Sequence, residues 1–203
     1  MKHRLLHALL GTAALVCASS AGAHEYKIDP NHSTLGFAVP ILGGLSKVHG
    51  KFTEFIITLK FDENDLPGSS VTATIKAASI DTGIGDRDKH LRSGDFFDIA
   101  KTPEITFESS RIERNGNHYV AHGTFTMHGV AKEIDLPFAA TGKNFSEGKK
   151  GRMVTAGFNI RWSLNRRDYG LLWEHPAEKF VGDVIEVEID LITKATPLAP
   201  PAS

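Results

Sequence analysis

Cysteine is almost absent from this sequence of 203 residues: Cys17 is the only one. A chain with a single cysteine cannot build an internal disulfide framework or a zinc site of several thiolates. Neither positive nor negative charge is in excess, because the chain has 23 Lys and Arg residues and 24 Asp and Glu residues. Since phosphate binding needs a basic face, we expect no nucleic-acid partner.

Long apolar runs are also lacking. The longest, from Leu5 to Val16, follows Lys2 and Arg4 and precedes small residues that suit signal peptidase. It is too short for a membrane-spanning helix, which needs about 20 apolar residues. We therefore predict a signal peptide over residues 1–23, export to the periplasm and no stable membrane insertion. Lipid attachment at Cys17 is the alternative, although Val16 is larger than the residue that normally precedes a lipidated cysteine.

The sequence contains none of the common catalytic motifs. It has no G-x-S-x-G elbow, no H-E-x-x-H helix, no phosphate-binding loop and no dinucleotide fingerprint. We therefore expect a protein that is not an enzyme and that needs no cofactor and no metal.

Apolar and polar residues alternate with a period of two in most of residues 24–195, which predicts β-strands with one buried face. The clearest run is Ile185, Val187, Ile189 and Leu191, separated by acidic residues. Further strands are expected over residues 25–28, 34–39, 47–61, 71–77, 104–112, 117–128, 134–140 and 154–162. A change of apolar parity near Glu54 predicts a bulge in the strand over 47–61.

Short turn-forming segments separate these runs, which predicts antiparallel neighbours. One short helix is expected from Asp86 to Ser93, with Asp86 as its N-cap. Many antiparallel strands and little helix fit either a closed β-barrel or a two-sheet β-sandwich, and the barrel is favoured because it leaves no exposed edges. Residues 196–203 are rich in proline and are expected to form a flexible tail.

A group of motifs resembles the YceI-like family of exported polyisoprenoid-binding proteins. The motifs are Ser79 to Thr82, Arg87 to Ser93, Asp95 to Asp98 and Pro103 to Phe107. The resemblance implies a lipocalin-like antiparallel barrel with an apolar tunnel that holds an isoprenoid quinone, a polyprenyl chain or a long-chain amide. The sequence departs from the family at Ile41, where relatives often have a histidine that could touch a headgroup.

The side chains expected to line the ligand cavity lie on the inward parity of the strands or just after the helix. They are Phe37, Phe52, Ile75, Phe97, Phe107, Phe125, Met127, Phe138, Phe158, Ile160, Trp162, Ile185 and Val187. Small inward residues, namely Ala73, Ala77, Ala140 and Ala156, would leave volume between them. Arg161, Arg166 and Tyr169 are candidates for headgroup contacts, because arginine offers planar donors to oxygen acceptors.

Two sets of polar residues suggest other functions. The Asp, His and Arg of the Arg87 to Ser93 motif could be catalytic, but they could equally stabilise a helix that Phe96 and Phe97 pin over one barrel end as a lid. His118, His122 and His128 share a parity on one strand, and at a spacing of four and six residues they are too far apart for one metal, so we expect them to face water.

These observations favour a single-domain protein that carries or stores a small apolar lipid. The oligomeric state that we consider for it is a homodimer. A stress-response or protein-interaction module with an incidental lipid is the first alternative, and a hydrolase is the second.

Overall fold

The computed structural model describes residues 24–149, 151–174 and 180–197. The predicted signal peptide and residues 198–203 of the predicted tail lie outside the described residues. The strands are β1 His24–Lys27, β2 Thr34–Ile41, β3 Ser46–Phe52, β4 Phe55–Phe61, β5 Ser70–Lys76, β6 Ile80–Asp81, β7 Glu104–Asn115, β8 His118–Met127, β9 Val130–Gly148, β10 Gly151–Asn165, β11 Val184–Ile192 and β12 Thr196–Pro197. The α-helix is α1 Gly85–Arg92, and one-turn 3₁₀ segments cover Pro30–His32, Leu42–Gly44, Leu66–Gly68, Ala77–Ser79 and Arg166–Tyr169.

All strands belong to one antiparallel sheet, so the sandwich of two separate sheets is not the architecture. The strand order is β1-β4-β5-β7-β8-β9-β10-β11-β2-β3-β6, with β12 added beside β10. Eleven strands thus form a curled half-barrel, and no ladder joins the end strands β1 and β6 among the described residues. The all-β prediction is confirmed, whereas the closed barrel is not observed.

The predicted strand over residues 47–61 is one bent segment in two parts. It breaks at Thr53 and Glu54, so the structure has two strands with different neighbours, and the prediction of a single bulged strand was wrong. Thr53 N donates to Ser79 O at 3.2 Å, and Glu54 O accepts from Lys76 N at 3.0 Å. Because β3 and β4 lie near opposite ends of the strand order, this two-residue link brings the two ends of the sheet together.

Three local predictions were wrong. The helix begins at Gly85 after Ile84, which provides no side-chain cap, so Asp86 lies in the first turn instead of capping it. Ala77 lies in a 3₁₀ turn and not in β5. Thr196 and Pro197, assigned to the tail, pair with Val154 and Met153 of β10, because a sheet edge was available to them.

The inner face of the sheet is filled at one end by aromatic rings. Phe61 lies 4.9 Å from Tyr119 and 5.8 Å from Phe138, measured between ring centroids. Phe158 is 5.8 Å from Phe61 on another side. These rings are buried and form the floor of the half-barrel.

Gly123 tests how closely β7 and β8 approach. A Cβ built on Gly123 would lie 2.7 Å from Ser109 Cα, beside the register shift in β7. We expect Gly123→Ala to lower the free energy of unfolding by about 2 kcal/mol, because backbone atoms would have to move. Gly85→Ala is the matched control, since its Cβ would meet nothing within 4 Å. Urea denaturation measures both, and equal stability of the two variants would contradict the prediction.

Candidate functional site

A cavity of about 610 Å³ occupies the half-barrel above the aromatic floor. Its wall is built from the inward side chains of the strands, and only four lining residues have ionisable side chains. Eleven of the thirteen predicted lining residues lie in this wall: Phe37, Phe52, Ile75, Phe97, Phe107, Phe125, Met127, Ile160, Trp162, Ile185 and Val187. That they contact a ligand stays a prediction.

Phe138 and Phe158 do not line the cavity. Both have the predicted inward parity, but they are buried in the aromatic floor, with 7% and 3% of their surfaces exposed. Their rings pack against Phe61 and against each other at 6.4 Å. Parity tells which face a side chain occupies, but not whether that part of the interior is filled.

The idea that small residues create the cavity is only partly right. Ala73 lies in the wall. Ala77 and Ala156 are buried in packed regions, and Ala140 is exposed on the long β9–β10 hairpin. The cavity therefore arises mainly from the separation of large side chains.

Sequence reasoning missed part of the wall near the opening. Leu171, Trp173, Phe180 and Val181 line the cavity from the segment that follows β10. No periodicity marks them, because this segment has no regular secondary structure. Ile41 lies in the wall too.

The α1 helix and the two residues Phe96 and Phe97 cover one side of the opening. Phe97 contacts Phe52 edge to face at 5.9 Å, and Phe96 lies 5.0 Å from Trp173. Arg92 ties the helix down, since its Nε donates to Ala78 O at 2.7 Å and its Nη2 to Ile80 O at 2.6 Å. That the helix acts as a lid stays a prediction.

Arg87, Asp88 and His90 of α1 also make local contacts. Buried Asp88 accepts a hydrogen bond from Thr82 N at 2.9 Å, and Arg87 Nε donates to Thr82 Oγ1 at 2.7 Å. His90 Nε2 lies 2.8 Å from Asp95 Oδ2, at the opening. Asp86, Arg87 and His90 line the cavity, as does Arg166 from outside the helix.

Arg166 is a buried cation that holds the segment after β10. Its Nε donates to Gly182 O at 3.0 Å, its Nη1 donates to Leu171 O at 2.5 Å and to Trp173 O at 2.9 Å, and its Nη2 lies 3.0 Å from Asp183 Oδ1. Burial lowers the pKa of Arg166, and the charge of Asp183 opposes this. Arg166 lines the cavity, as expected of a headgroup contact, but these donors already have protein partners.

The sequence model of the YceI-like domain family matches residues 26–193 of this chain. The chain belongs to the YceI-like family. A UPF0312 protein of Pseudomonas aeruginosa is 35% identical over 191 residues, which is 93% of this chain and 98% of that protein. A UPF0312 protein of Photorhabdus laumondii is 38% identical over 172 residues, covering 83% and 87% of the two chains.

Solved structures share the YceI-like fold. The YCEI protein of Campylobacter jejuni is 28% identical, with a TM-score of 0.64 over 76% of this chain and 88% of that one. BcnA of Burkholderia cenocepacia has a TM-score of 0.71 at 23% identity, over 82% and 99% of the chains. A polyisoprenoid binding domain from Saccharophagus degradans has a TM-score of 0.58 at 15% identity, over 84% and 98%.

Two predicted headgroup residues of this YceI-like chain lie outside the cavity wall. Arg161 is on the outer face of β10, where its Nη2 lies 3.0 Å from Asp190 Oδ1 and 2.9 Å from Glu188 Oε1. Tyr169 is buried, with its ring 5.4 Å from that of Phe125, and burial raises its pKa. Neither residue reaches the opening of the cavity.

The three histidines of the β8 region are not a row facing water. His118 is exposed, whereas His122 lies between Asp135, at 2.5 Å, and Glu113, at 3.3 Å. His128 lies in the turn after β8, with Nδ1 3.1 Å from Tyr169 O. Among residues 24–149, 151–174 and 180–197, no cluster of three or more His, Cys, Asp or Glu could hold a metal ion.

Within residues 24–149, 151–174 and 180–197, no helix has the length and apolar character that crossing a bilayer requires.

Arg166 offers a test of how the opening is held. We expect Arg166→Lys to destabilise the protein by about 3 kcal/mol, because lysine cannot keep the three carbonyl contacts and the contact to Asp183. Arg161→Lys is the matched control, and its exposed pair should cost less than about 1 kcal/mol. Thermal and urea denaturation measure both. Equal losses in the two variants would contradict a structural role for Arg166.

Proposed function

We propose that this protein binds one long apolar molecule in the cavity and stores, shields or transports it. The ligand class is a polyisoprenoid, an isoprenoid quinone or a fatty-chain amide. The observation that carries the proposal is the cavity of about 610 Å³ with its nearly continuous apolar wall. This volume falls within the range of roughly 300–1,000 Å³ that is typical of small-molecule sites.

The energetics of such a site need no charged contact. Each buried CH₂ contributes roughly 0.8 kcal/mol, so about ten of them contribute about 8 kcal/mol before the costs of association. Affinity of this origin depends on the length and width of the chain more than on its headgroup. The polyisoprenoid binding domain from Saccharophagus degradans, which has a similar fold, supports this ligand class.

A closed wall is part of the proposal. The two-residue link between β3 and β4 supports it, because Thr53 bonds to Ser79 and Glu54 to Lys76 across the point where the sheet ends meet. An apolar chain within the wall would then be shielded from water on all sides except at the opening.

Filling the cavity tests the proposal. We expect Ala73→Phe to weaken binding of a long-chain polyprenol at least about tenfold, because the ring would occupy space that the ligand needs. Thr72→Phe is the control, since Thr72 is exposed on the same strand. Native mass spectrometry of protein loaded with the polyprenol measures occupancy, and an empty wild-type protein under these conditions would overturn the proposal.

Export is also part of the proposal. We expect the periplasmic form to begin at His24, because the apolar run and the small residues before this position suit signal peptidase. N-terminal sequencing of protein from the periplasmic fraction measures this. A mature chain that begins with a lipid-modified Cys17 would contradict it.

A further inference from the structure

Four exposed aliphatic side chains lie near the opening of the cavity. They are Leu42, Leu45, Ile84 and Leu172, with 49%, 87%, 53% and 58% of their surfaces exposed. We call them the mouth rim. Single exposed apolar residues are common, but here four of them belong to three separate chain segments.

Each segment of the mouth rim continues directly into the cavity wall. Leu42 follows Ile41, Ile84 lies two residues before Asp86, and Leu172 follows Leu171, and these three neighbours line the cavity. The segments also contact one another. Leu42 N donates to Phe180 O at 2.9 Å, and the ring of His90 on α1 lies 5.0 Å from Trp173.

Leu42 has a backbone conformation that leucine rarely adopts. Its φ is 53°, and the two residues that follow it, Gly43 and Gly44, have φ of 68° and 96°. Asparagine or glycine adopts this left-handed conformation more easily than leucine does. Because Leu42 is strained and exposed, its side chain contributes little to folding. We therefore infer that the side chain contacts something outside the protein.

We propose that the mouth rim inserts into the surface of a lipid bilayer and thereby lets the apolar ligand pass between the bilayer and the cavity without crossing water. This inference rests on the proposed function and adds its partner. Four side chains at loop tips are too few for a stable protein interface, which takes roughly 20–30 residues a side. A protein seated on the rim would also obstruct the opening.

The charges near the mouth rim indicate how the docking would occur. Asp86 and Arg87 on α1 are of opposite sign and lie in the cavity wall, while Lys47 on β3 is paired with Glu186 at 2.6 Å. No single sign dominates these neighbours. Insertion is therefore driven by apolar area, and it requires neither anionic lipid nor low salt.

Flotation with vesicles of pure phosphatidylcholine tests the docking itself. In mature protein, Leu42→Asn, Leu45→Ser and Leu172→Ser combined should reduce the vesicle-bound fraction about tenfold, because apolar surface that would leave water is lost. Asparagine suits the positive φ at residue 42, so the fold should be kept. Ile56→Ser is the control, because Ile56 is 74% exposed on the outward parity of β4. Equal flotation of wild type and the triple variant would overturn the inference, as would a rim-dependent dimer in sedimentation velocity.

Transfer kinetics separate this inference from the proposed function. A fluorescent long-chain polyprenol is loaded into the protein and its transfer to the same vesicles is followed. We expect a rate that rises with vesicle concentration, and a much slower rate in the triple variant with unchanged affinity for the probe. A rate independent of vesicle concentration would refute docking but not binding. If wild-type protein fails to bind the probe, the proposed function fails, and flotation still decides whether the rim docks.

Discussion

The rest of the structure depends on one constraint: a single curled sheet turns apolar side chains inward, and these side chains pack into clusters without filling the whole interior. At the floor, the rings of Phe61, Tyr119 and Phe138 are in contact. Above it, Phe37, Phe107 and Leu191 are among the side chains that line a cavity of about 610 Å³. Empty apolar space loses dispersion contacts and therefore lowers stability. The fold tolerates this loss, which is what a binding site for an apolar molecule requires.

Hydrogen bonds add to the apolar cluster of Phe96, Phe97 and Leu171 in holding the elements around the opening. Arg92 fixes α1 to the turn before β6, and Asp88 fixes it to Thr82. Arg166 gathers the carbonyls of Leu171, Trp173 and Gly182. A polar cluster beside a cavity resembles a catalytic site in the sequence, since both need Asp, His and Arg close together. Here Arg87, Asp88 and Arg92 hold backbone groups, which gives these three residues of the motif a structural role.

The alternation of apolar residues was enough to predict most of the strands and their faces, but near Glu54 it predicted a bulge where the structure has a break between β3 and β4. It could not separate Phe138 and Phe158 from Phe107 and Phe125, because all four have inward parity and differ only in what lies opposite. Arg161 is different. It lies between Ile160 and Trp162, so the same alternation already predicts that it points outward, and its assignment to a headgroup site conflicted with that pattern. The segment with Leu171 and Val181 has no periodicity, and only the folded chain brings it to the wall.

The aromatic floor also determines the direction in which a ligand would lie. Phe61, Phe138 and Phe158 are buried and absent from the cavity wall, so that end offers no passage. Entry and exit must then use the same opening, beside Arg87 and His90. An apolar chain with a polar head gains most when the chain enters first, because the charged and imidazole groups of the wall, Arg87 and His90 among them, lie at the opening, where water is also available. The depth of the cavity would then select the length of the chain, and the head would remain at the rim, where a molecule longer than the cavity could stay in contact with a bilayer.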